Sequence, residues 1–117
     1  MKPEAQRIAI AEFCGWTGIT RTKGGSLNPN LLWWGYEPKT KANMAVPDYL
    51  NDLNAIVDAT SRLSSNPQWV VDFLNNLRTI VGAQTQRKVS DFLLLHSTCA
   101  QRAEALLRTI GKWRDEP

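Results

Sequence analysis

The sequence predicts an α/β fold in which a small, mainly antiparallel sheet lies between helices, an α-β-α layered sandwich in the order α-β-β-α-α-β-α. Three observations lead there. Four segments carry apolar residues at spacings of three and four, as amphipathic helices do. Two runs rich in aromatic and β-branched residues flank a glycine-rich stretch, as strands joined by a loop do. Three or so short strands cannot bury both faces alone, so helices must cover them. At 117 residues the chain is one domain, residues 1–117, long enough for one core.

Residues 3–14 read as the first helix. Pro3 suits its first position, Glu4 favours the positive end of its dipole, and Gly15 is a natural stop. Trp16 to Thr22 reads as a strand, and Leu31 to Tyr36 as its partner, closed by Pro38. Gly24, Gly25, Asn28, Pro29 and Asn30 make residues 23–30 a long loop. Residues 47–63 read as a helix, or as a turn followed by one, with Leu50, Leu53, Ile56, Val57 and Leu63 on one face. Asp48 and Asp52 sit near its N-terminal end. A third helix starts at Asn66-Pro67, a cap followed by proline, with Trp69, Val70, Phe73, Leu74 and Leu77 as its face and Gly82 as its end. Residues 83–88 form a polar connector. Val89 to Leu95 reads best as a buried strand, although so short a run also fits a helix. Thr98 and Gln101 make a T-x-x-Q capping box for the last helix, whose stripe is Ala103, Leu106, Leu107 and Ile110 and whose stop is Gly111.

No apolar run approaches the roughly 20 residues of a membrane span, and Met1-Lys2-Pro3-Glu4 is not the start of a secretory leader. A cytoplasmic protein is expected. Cys14 and Cys99 are too few for a disulfide framework and read as reduced, structural thiols. The net charge is a mild +3, but it is unevenly spread. Residues 21–41 hold Arg21, Lys23, Lys39 and Lys41 against Glu37 alone. Residues 42–77 hold Asp48, Asp52, Asp58 and Asp72 against Arg62. A basic, loop-rich segment attracts anions.

Three blocks resemble a known family. They are Pro3 to Glu12 with Cys14-Gly15-Trp16, Pro47 to Ala55, and Ala100 to Ala105 with Leu107 to Trp113. In order and spacing they resemble the phage ABA sandwich domain family, small proteins of bacteriophages and prophages. The resemblance implies an α-β-α fold and a viral protein working in the cytoplasm of a bacterial host. It implies no activity and carries no catalytic motif. Residues 20–45 and 64–97 depart from the family pattern, so anything particular to this chain is expected there.

Tests for chemistry leave little. One histidine and two cysteines cannot supply a structural zinc site, and no cofactor is expected. Cys99 at a helix start, with His96 and Asp91 nearby, is the most enzyme-like group, but no oxyanion loop accompanies it, and no catalytic residue is assigned. No P-loop or dinucleotide fingerprint is present. The candidate binding residues are Arg21, Lys23, Gly24, Gly25, Trp33, Trp34, Lys39 and Lys41. Glycine amides and cations can cradle a phosphate. Trp33 and Trp34 are adjacent, so on a strand they point to opposite faces. Helical layers on both faces would cover both rings; an exposed ring beside these cations could stack on a base. The expected function is that of a non-enzymatic phage accessory protein. It would sequester a small anionic, nucleotide-type ligand to counter host defence. Two alternatives stand beside it: a module that inhibits or adapts a host protein, and a weak nucleic-acid binder, disfavoured by the mild charge. A homo-oligomer is plausible if a short edge strand stays open.

Overall fold

Proline, glycine and short polar side chains set where the elements begin and end. The computed structural model describes residues 1–21, 33–85 and 90–115. Its elements are α1 (Pro3–Phe13), β1 (Thr17–Arg21), β2 (Trp33–Tyr36), β3 (Asn43–Ala45), α2 (Leu53–Ser61), α3 (Pro67–Thr85), α4 (Asp91–Leu95) and α5 (Cys99–Thr109). A 3-10 turn, Arg62–Ser65, joins α2 to α3. Gly15 follows α1 at φ +96°, a left-handed conformation that favours glycine. Asp52 caps α2 by accepting from the Asn54 and Ala55 amides. Asn66 Oδ1 accepts from the Gln68 amide at the start of α3, at 3.1 Å. Thr98 and Gln101 form the expected reciprocal capping box of α5, at 3.1 and 2.8 Å.

The three strands form an antiparallel sheet in the order β1-β2-β3. Thr20 and Ala45 flank Trp34, while Thr17 and Asn43 flank Tyr36, with a bulge between Thr17 and Thr20. The loop expected at residues 23–30 lies outside the described residues.

The helices are organised by α5, which packs against α1, α2 and α3. Ala103, Ala105, Leu106 and Leu107 are all completely inaccessible. Leu106, Leu107 and Ala103 share one core with Ile10, Ala11, Cys14, Trp16, Val46, Tyr49, Ile56, Ala59 and Leu63. Ala105 belongs to a second core with Leu77, Ile80, Val81 and Leu94. Arg7 and Asp48 add a half-buried ionic tie between α1 and the turn before α2. Arg7 Nε lies 3.0 Å from Asp48 Oδ1, but its N–H is not aimed as a hydrogen bond.

Four expectations need correction. Residues 91–95 are helical, not a strand: the Ser90 hydroxyl accepts from the Leu93 amide at 3.3 Å, and Ser90 is a better helix start than a strand residue. Leu94 is buried, whereas Leu95 is 73% exposed, so the apolar run is not a doubly buried strand. The third strand is Asn43–Ala45, which has no β-branched residue to signal it. The third helix runs through Gly82 to Thr85, because Ile80 and Val81 are buried in the second core and hold that turn in place. Its inward face is Trp69, Phe73, Leu77 and Ile80, while Val70 and Leu74 point to solvent. The mixed α/β class holds, with a sheet and five α-helices among the described residues.

The architecture makes α5 the element least tolerant of damage. Leu107→Ala should lower stability by about 2–5 kcal/mol, and Thr98→Ala by about 1 kcal/mol through the lost cap. Denaturant midpoints check both. A Leu107→Ala protein as stable as the parent would contradict the central position of α5.

Candidate functional site

Strand β2 gives the two tryptophans different surroundings. Trp33 is half-buried against the main core, together with Ile19 from β1. Trp34 is 36% exposed and Tyr36, two residues on, is 46% exposed. Alternate residues share a face, so both rings rise from one face of the sheet. By register that face also carries Thr17, Thr20, Asn43 and Ala45. Among the described residues, no helix covers these two rings enough to bury them.

Gly18 fixes how Tyr36 sits. A Cβ placed on Gly18 would fall 2.8 Å from Cδ2 and 2.9 Å from Cε2 of the Tyr36 ring. The ring's edge therefore fills the space of the missing side chain, leaving its faces turned away from β1. Gly18 also sits at φ +58°, beside the bulge, so a larger residue there would be strained as well as crowded.

The β2–β3 turn is organised by Glu37. Its carboxylate accepts from the Lys39 amide at 3.0 Å and from the Thr40 amide and hydroxyl at 2.6 and 2.7 Å. The Glu37 amide donates to Ala42 O and the Lys41 amide to Glu37 O, both at 2.9 Å. Lys41 takes the left-handed position of the turn, φ 60°. The donors from Thr40 and Lys39 hold the Glu37 carboxyl down at about 2. The turn therefore keeps a negative charge between two exposed lysines.

The eight candidate residues do not form one cluster. Arg21 pairs across β1–β2 with Trp33, so it leaves the sheet on the helix-side face. Lys39 and Lys41 lie in the turn beyond Tyr36, at the other end of β2. Lys23, Gly24 and Gly25 lie outside the described residues. Trp34 lies on the open face, Lys39 and Lys41 lie in the turn after Tyr36 with Lys39 on the border of a cleft beneath it, and Trp33 and Arg21 lie on the helix-side face. Tyr36 and Gly18 were missed. Tyr36 was within reach, because it is two residues from Trp34 on the same strand; the use of Gly18 depends on the bulge, which no local pattern announces.

A second polar group lies beneath the turn. Cys14 and Tyr49 are buried, and the Tyr49 hydroxyl is hydrogen-bonded to the thiol and to Trp16. Arg62 also donates to Cys14. Burial is the largest influence on both acids and pushes each upward; Tyr49 and Arg62 oppose this at the thiol without reversing it. Trp16, Tyr49, Pro38, Pro47, Lys39, Asp58 and Arg62 border a cleft of about 180 Å³ above this group. That is below the range of about 300–1,000 Å³ usual for small-molecule sites, and its acids offset its bases. A larger groove of about 480 Å³ lies between Phe13, Trp69 and Ile110, where the two rings meet edge to face at 6.0 Å.

Cys99 begins α5 and packs half-buried against the main core. Among the described residues, no three of His, Cys, Asp and Glu converge as a metal site would require. No helix there is long and apolar enough to cross a membrane. Comparison with protein-family models, characterised proteins and solved structures finds no match to the chain.

Two titrations follow. Glu37's depressed value stabilises the turn above its ordinary 4.5, and this is lost as pH falls through about 2. The Lys39 and Thr40 amide resonances should therefore titrate near 2; a midpoint at 4.5 would mean the turn is not capped by the carboxylate. Cys14 and Tyr49 act in the opposite sense. Their raised values stabilise the fold below the ordinary 9.0 and 10.0, and this is lost as pH rises beyond them. The denaturation midpoint should fall above about pH 9, and less steeply in a Cys14→Ala/Tyr49→Phe protein.

Proposed function

We propose that the chain is a non-enzymatic accessory protein that binds a nucleotide-type anion on the open face of its sheet. One observation carries the reading: Trp34 and Tyr36 stand exposed on the same face of the central strand. Every nucleobase has a π-face that such rings can stack on. Lys39 and Lys41, in the turn that follows Tyr36, are the cations offered to a phosphate. The amides of Lys39 and Thr40 do not, because Glu37 already occupies them. At this turn the anion would meet side chains rather than amides.

The likeness to the phage ABA sandwich domain family supplies the setting of this reading. A small phage protein in the cytoplasm of a bacterial host, without catalytic machinery, acts by capture, and capture of a nucleotide-type signal would counter host defence. A second reading rests on Val70, Val71 and Leu74, exposed together on the outer side of α3. Such a patch suits a module that blocks or adapts a host protein.

Nuclear magnetic resonance titration with nucleoside monophosphates, triphosphates and linear dinucleotides tests the first reading. Trp34→Ala should reduce the shifts, and Lys39→Gln/Lys41→Gln should weaken binding. Lys39→Gln/Lys41→Gln should keep stability within about 0.5 kcal/mol of the parent, since both lysines are exposed. Unperturbed spectra throughout would reject the reading. Loss of host-protein capture on Val71→Asp/Leu74→Asp alone would favour the second.

A further inference from the structure

We propose that the ligand of this face is a single strand of nucleic acid, with successive bases taken by Tyr36 and Trp34. This rests on the reading of the sheet face as a nucleotide site. A single nucleotide can use little of what the face offers. Its phosphate meets exposed ammonium groups, because Glu37 holds the Lys39 and Thr40 amides, and exposed charges bind weakly. Its base meets one ring on an open surface. Such contacts are fewer than those a strand can make with two rings.

A strand uses the rest. Trp34 and Tyr36 are alternate residues of β2, so their attachment points lie about 6.6–6.8 Å apart along it. Each ring is exposed, and Tyr36 is seated by its edge in the space of Gly18, which leaves its faces for stacking. Sheets that bind single strands use this arrangement, with exposed aromatics on a central strand taking two or three unstacked bases. The remaining side chains of the face suit the same partner. Thr17, Thr20 and Asn43 flank the two rings and offer hydroxyl and amide groups to base edges or a ribose. Lys39 and Lys41, in the turn after Tyr36, are the cations a strand's phosphates would meet. A duplex hides its base faces and is excluded.

Fluorescence or calorimetric titration of the whole chain tests this, with thymidine monophosphate, the dinucleotide pTpT, oligo(dT) and oligo(rU) of four and eight residues, and a duplex control. Affinity should rise about tenfold from mononucleotide to dinucleotide, with no duplex binding. Comparing oligo(dT) with oligo(rU) separates DNA from RNA. Tyr36→Ala and Trp34→Ala should each return the dinucleotide to the mononucleotide level, while Tyr36→Phe keeps the gain; melting temperatures show that each variant is folded. The logarithm of affinity should fall with the logarithm of salt at a slope of about −1.4 for two lysines, and about −0.7 after Lys39→Gln. Equal affinity for mononucleotide and dinucleotide would overturn the strand and leave a single-nucleotide site standing. No binding by any of these probes would overturn the strand and the nucleotide reading together.

Discussion

The burial of α5 is the constraint on which the rest of the structure depends. Four consecutive or near-consecutive side chains, Ala103, Ala105, Leu106 and Leu107, are sealed from solvent. A helix with one apolar stripe can serve one neighbour; this one serves α1, α2 and α3. Small residues make that possible, because Ala103 and Ala105 let neighbours approach where larger side chains would hold them off. The capping box at Thr98 and Gln101 fixes the start of the helix, so both cores inherit a register set by two polar residues at the surface.

That arrangement decides what remains for the sheet. Trp33 and Ile19 reach the main core from the helix-side face, and Val46 continues the ladder by donating to Trp33 O at 2.9 Å. The opposite face carries Trp34 and Tyr36. Alternation along β2 thus divides four residues between two tasks. Trp33 and Gly35 complete the packing, and Trp34 and Tyr36 present aromatic surface. Glu37 then folds the chain back through a turn that consumes its own amides. The same carboxylate that makes the turn rigid also denies those amides to a ligand, which is why any anion here must meet lysine side chains.

Helix ends were legible in the sequence because capping is local chemistry. Pro3, Gly15, Asn66-Pro67, Thr98 with Gln101 and Gly111 each mark a boundary within a residue or two. Residues 91–95 were misread because a short apolar run has no period of its own, and only Ser90 hinted at a helix. Gly82 was misread because a glycine in a helix costs only about 1 kcal/mol relative to alanine, less than burying Ile80 and Val81 returns. The candidate site was half legible. Adjacent tryptophans on a strand must face opposite ways, and the exposed one shares its face with Tyr36, which precedes the turn of Lys39 and Lys41. The joining of Arg21 to them failed because nearness in sequence across a hairpin is not nearness in space: pairing with Trp33 carries Arg21 to the other face and the other end of β2.

The exposed rings are themselves informative. Covering them would take a further helix packed on that face. Of the helices described, three pack on α5, and α4 is a five-residue turn that packs on α3. Two aromatic side chains left on the middle strand of a three-stranded sheet invite association. Polar and charged neighbours lessen that hazard: Thr17, Thr20 and Asn43 flank the rings, and Lys39 and Lys41 guard the turn. The same neighbours are poor partners for an aliphatic surface, since burying them against one would leave hydroxyl, amide and ammonium groups unpaired. A planar, polar-edged, anionic partner satisfies all of them at once, stacking on the rings, bonding through its edges and bringing negative charge to the lysines. Composition and exposure on this face therefore favour a nucleic-acid base over an apolar protein patch.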